Sequence, residues 1–61
     1  METTALLERL EELTKKMDVP VFRRRKPFWL LRNLSIRNKD HPNFPEAVDI
    51  AKILAKKGVR N

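Results

Sequence analysis

Four consecutive cations, Arg23-Arg24-Arg25-Lys26, stand just before a stretch that contains Trp29, Arg32, Asn33 and Arg37. Guanidinium and ammonium groups bind phosphate oxygens, arginine as a planar bidentate donor and lysine as a point charge. A tryptophan face can stack on an unpaired base, and an asparagine amide can pair bidentately with adenine. Backbone anchors set beside base-reading groups are the usual division of labour in nucleic-acid binding. On this reading Arg23, Arg24, Arg25 and Lys26 anchor phosphates of DNA or RNA, Arg32 and Arg37 add contacts, and Trp29 or Asn33 touches bases. The same residues support a second reading, a protein–protein adaptor of regulatory or viral-accessory type. There the basic segment meets an acidic partner and Trp29 is the anchor, since Trp and Arg are enriched at interface hot spots. A third reading is a solvated basic loop that binds nothing.

The charge is local. Residues 21–41 hold seven basic groups (Arg23, Arg24, Arg25, Lys26, Arg32, Arg37, Lys39) and one acidic group (Asp40), so this third alone accounts for the +6 of the whole 61-residue chain. The first twenty residues are net acidic, and the last twenty carry a smaller surplus through Lys52, Lys56, Lys57 and Arg60. A concentrated surplus creates a field that attracts polyanions.

The inventory for catalysis is poor. His41 is the single histidine and there is no cysteine, so no standard zinc site can be assembled and no metal or cofactor is expected. Thr3, Thr4, Thr14 and Ser35 have no base at a recognisable spacing, and one glycine cannot make a phosphate-cradling loop. Glu11 and Glu12 belong to a charged helix face. The reading is therefore non-enzymatic.

The elements that must position these groups are helices. Leu6, Leu10, Leu13 and Met17 recur at helical spacing, with Leu7 beside them, and predict a first helix over about 4–17. Thr3 or Thr4 is placed to cap it, and Glu11–Lys15 and Glu12–Lys16 are favourable acid-first pairs. Val19-Pro20 ends it. Val19, Val21 and Phe22 are apolar and are expected to run extended across the core, ahead of an exposed basic connection at 23–26. Pro27 opens a second helix to about Asn38. Its core arc is Leu30, Leu34, Leu31 and Phe28, with Trp29 and Ile36 on nearly the opposite side. That leaves two options for Trp29: an exposed platform, or core in a helix sandwiched between the other two. Asp40-His41-Pro42-Asn43 is a turn signal. A third helix follows over about 45–57, with Gly58 as its left-handed terminator.

No segment alternates with period two, so the expected fold is all-α: one small three-helix bundle-like domain over residues 1–61, with no sheet. Its core should contain Leu6, Leu10, Leu13, Leu31, Leu34, Val48, Ala51 and Leu54. A strict helix-turn-helix fits badly, because the connection after the second helix is long and lacks glycine. The stripe on the first helix matches two heptads, so a monomer or a weak homodimer through that face is expected. The longest apolar run, Phe28-Trp29-Leu30-Leu31, is far short of the roughly 20 residues of a membrane span, and the acidic start does not read as a secretory signal. The expected location is cytoplasmic.

Overall fold

The computed structural model describes residues 2–59 and consists there of α1 (Thr3–Lys15), a short 3-10 turn (Val21–Arg23), α2 (Pro27–Asn38) and α3 (Phe44–Lys56), with no strand. This is the small all-α three-helix domain that the periodicities imply. The layering differs from a sandwiched second helix. α3 is the central element and packs against both α1 and α2, while α1 and α2 make few direct contacts.

The reason lies in how apolar each face is. α3 buries Ala47, Ile50, Ala51 and Leu54, and its small alanines let both neighbours approach. α1 buries Leu6, Leu10, Leu13 and Thr14. α2 buries Pro27, Leu30, Leu34 and Asn38, one narrow stripe at spacings of three and four. Leu31 and Val48, expected in the core, are half-buried at its edge together with Leu7, Trp29, Phe44 and Val59. Phe28, expected on the core arc, is exposed. The α1 stripe lies inside the chain's own core, with Leu10 fully buried, so it is not a free dimer seam.

The helix ends show which local signals act. α3 closes in a Schellman arrangement. Val59 N–H donates to the Leu54 carbonyl and Gly58 N–H to the Ala55 carbonyl, both at 3.0 Å. Gly58 has φ of +85°, which glycine adopts without a Cβ penalty, and Val59 folds back on the core. At the start of α1, Glu2 is the N-cap and no side chain caps the helix; Thr3 already lies within it. α1 also ends two residues before the expected Met17. The chain turns there, and Met17 and Val19 are both buried.

That early end is held by side chains from the end of α2 and the loop after it. Buried Asn38 accepts Asp18 N–H on Oδ1 (2.9 Å) and donates Nδ2 to the Asp18 carbonyl (3.3 Å). Asn43 Nδ2 donates to the Leu13 carbonyl at 3.2 Å. His41 Nδ1 accepts Asn43 N–H at 3.0 Å, so Nε2 carries the ring hydrogen and donates to the Lys16 carbonyl, also at 3.0 Å. Three side chains thus satisfy orphan carbonyls and an amide where α1 stops. His41, expected as a bare loop residue, is part of this clasp. The predicted Glu11–Lys15 and Glu12–Lys16 pairs are not among the ion pairs of the described residues. Glu11 faces Arg25 loosely at 4.0 Å instead.

A second tie joins α1 to the first turn of α3. Arg9 Nε and Nη2 donate to Glu46 Oε2 and Oε1 at 2.8 and 3.0 Å, a bidentate pair. The hydrogen bond, and the charge behind it, hold the Glu46 carboxyl below its usual range and the Arg9 guanidinium above its own.

Candidate nucleic-acid interface

A molecule only 27 Å in its longest dimension has no interior beyond one core, so its functional groups lie on the surface. The basic run is more ordered than a solvated loop. Pro20 starts a 3-10 turn in which Arg23 N–H donates to the Pro20 carbonyl (2.9 Å) and Arg24 N–H to that of Val21 (3.3 Å). Lys26 N–H then bonds the Arg23 carbonyl at 3.1 Å, and Lys26 becomes the N-cap residue of α2. The fully buried Thr14 hydroxyl bonds the Leu10 carbonyl at 2.8 Å and makes a longer 3.4 Å contact to the Arg24 carbonyl, which rests the turn on α1.

This turn overturns the expectation that Val21 and Phe22 cross the core. Only Val19 enters it. Val21 and Phe22 are 70% and 69% exposed, because the tight turn after Pro20 points both outward. The basic residues are less exposed than expected: Arg23, Arg24 and Lys26 are half-buried and only Arg25 is open. The Nε of Arg24 is buried without a hydrogen-bond partner.

Arg23 connects the two parts of the surface. Its guanidinium carbon lies 5.2 Å from the Phe22 ring centroid and 5.3 Å from that of Trp29. Both are within the range of cation–π attraction. Trp29 is neither a free platform nor a core residue. It is half-buried, packs on the edge of the core and shows its remaining surface beside Arg23. Next to it a groove of about 530 Å³ lies between α2 and the segment 17–20, lined by Pro20, Trp29, Asn33, Ile36 and Arg37, among others. Ile36 is 73% exposed at its rim.

The structure therefore brings together Arg23 and Trp29, and sets Asn33 and Arg37 along the same groove, with Arg32 exposed on the same helix. It also engages two groups that the sequence reading left free. Asn33 Nδ2 donates one of its two hydrogens to the Trp29 carbonyl one turn back at 2.9 Å, which fixes the amide and leaves its second N–H and Oδ1 outside that bond. Arg37 Nη1 reaches Asp18 Oδ2 at 3.2 Å, in an exposed pair that salt screens readily. Phe22 was missed as a surface residue. Its one sequence signal was its place between Pro20 and four cations, where a short chain segment cannot bury its neighbours.

The local electrostatics have a clear sense. The four cations sit at the N-terminal end of α2, which is the positive end of its dipole. The first turn of that helix holds no acidic residue and the N-cap makes no side-chain hydrogen bond. Glu11, 4.0 Å from Arg25, is the one carboxylate paired with this run among the described residues. No family model, curated protein or solved structure matches the chain. The surface itself is what carries a functional reading. Lys52, Lys56 and Lys57, the smaller positive cluster, are exposed at the far end of α3, and Arg60 lies outside the described residues.

Proposed function

We propose that this chain binds nucleic acid, chiefly through phosphate contacts made by Arg23, Arg24, Arg25 and Lys26, with Arg32 adding a contact from α2. The observation that carries the reading is the collection of four cations at the positive end of a helix dipole with one loosely paired carboxylate to offset them. Like charges so placed repel one another, and a polyanion relieves that repulsion. The turn that holds the run is hydrogen-bonded, so little ordering is required on binding. Base-specific readout is no part of what carries the reading: Asn33 and Arg37 each hold one partner within the chain and keep further donors. The protein-adaptor reading is favoured by one separate feature, the groove between Pro20 and the exposed Ile36.

The test is the salt dependence of binding to labelled DNA and RNA. Each neutralised phosphate contributes about 0.9 to the slope of log affinity against log salt on B-DNA and about 0.7 on a single strand. Replacing Arg23, Arg24, Arg25 and Lys26 together by Gln should lower that slope by roughly 2–3 units, with the helical circular dichroism retained. Replacing Lys52, Lys56 and Lys57 by Gln should leave it nearly unchanged. Absence of binding at about 50 mM salt, where phosphate contacts are strongest, would remove the reading.

A further inference from the structure

Resting on that reading, we infer that the ligand is single-stranded and that Phe22 is the platform on which one of its bases stacks. Phe22 is 69% exposed, yet its ring is backed by the Arg23 guanidinium at 5.2 Å, and Arg23 is in turn held against Trp29 at 5.3 Å. Trp29 is anchored at the edge of the core, so this ladder orients a protruding ring that would otherwise turn freely. An aromatic face fixed in advance loses less freedom on binding.

The surroundings of the ring decide its occupant. Four consecutive cations follow Phe22 directly in the chain. An apolar protein surface packed on the ring would lie against the neighbouring cations without supplying a counter-charge, and desolvating unpaired charge is strongly unfavourable. A nucleotide brings a flat π-face for the ring and a phosphate for the guanidinium at the same time. A duplex keeps its bases stacked on one another and offers no such face. Single-strand binders combine a positive surface with aromatic stacking, and that mode tolerates any base. Little sequence preference is expected, since every base has a π-face to stack.

The probe is a labelled oligo(dT) of ~12 nucleotides, within the site sizes of single-strand binders, with a duplex of equal length as comparison. The single strand should bind at least ~5-fold more tightly at equal salt, as expected if stacking on one base adds to shared phosphate contacts. Phe22→Ala and Phe22→Leu should each weaken single-strand binding by roughly 5- to 100-fold, and Phe22→Trp should restore it. None of the three should change the salt slope, since none removes a charge. Ring exposure makes all three tolerable to the fold, and far-UV circular dichroism checks this. Equal affinity for strand and duplex, or a Phe22→Leu variant that binds like wild type, overturns the stacking inference while phosphate binding stands. Binding of neither nucleic acid removes both, and a Phe22→Leu variant that loses duplex binding equally moves Phe22 to a duplex contact.

Discussion

Two polar clusters dominate the middle of the chain, and they behave differently. Asn38, His41 and Asn43 look in sequence as motif-like as the basic run at 23–26. In the fold, all three are turned inward to the end of α1 and complete its hydrogen bonding. The four cations are held by their backbone instead, and their side chains find one loose carboxylate. Polar groups satisfied within the chain are architecture. Charges collected where the chain offers them few partners leave an interaction energy for another molecule to supply. The same contrast divides α2 lengthwise: Pro27, Leu30, Leu34 and Asn38 face the core, and the other side carries Arg32, Ile36 and Arg37 into solvent.

This contrast can be broken in several ways, and the core sets the scale. Leu34→Ala should destabilise by about 2–5 kcal/mol. A 61-residue domain has little more to lose, so most of the population should be unfolded near 37 °C in a thermal melt followed by circular dichroism. Next comes the clasp. Asn38→Ala leaves the Asp18 amide and carbonyl without their partner and should lower stability by about 1–3 kcal/mol in denaturant titration. His41→Ala, which removes two hydrogen bonds at a more exposed place, should cost about 1–2 kcal/mol. If the quadruple Gln variant of the basic run destabilised the chain more than Asn38→Ala does, the run would be architecture and the division above would fail.

The smallest effect belongs to Arg9–Glu46. Glu46 is held below the usual carboxylate range when folded. Its contribution is therefore complete above the ordinary glutamate pKa of about 4.3 and fades as pH falls through the lower folded value. Glu46→Gln should melt slightly below wild type at neutral pH and together with it in strong acid. Both side chains are about half exposed, so the difference should shrink with added salt. A gap between the two that widened on acidification would show that Glu46 acts through something other than this pair.

Much of the fold was legible in the residues because its signals are local. Apolar spacings of three and four define all three helices. Pro27 opens α2 at the expected residue, and Gly58 terminates α3 as a left-handed residue is expected to. The concentration of charge in residues 21–41 needs no structure at all. The tertiary structure alone decided the rest. It made α3 the central helix, narrowed the core stripe of α2, turned Val21 and Phe22 outward, left Trp29 half-buried and set Arg23 between two rings. It also assigned Asn38, His41 and Asn43 to α1 through hydrogen bonds that span 20, 25 and 30 positions of the chain. A contact between neighbouring turns leaves a period in the sequence. A contact between residues that distant leaves none, because its partners are chosen by where the packed helices bring them.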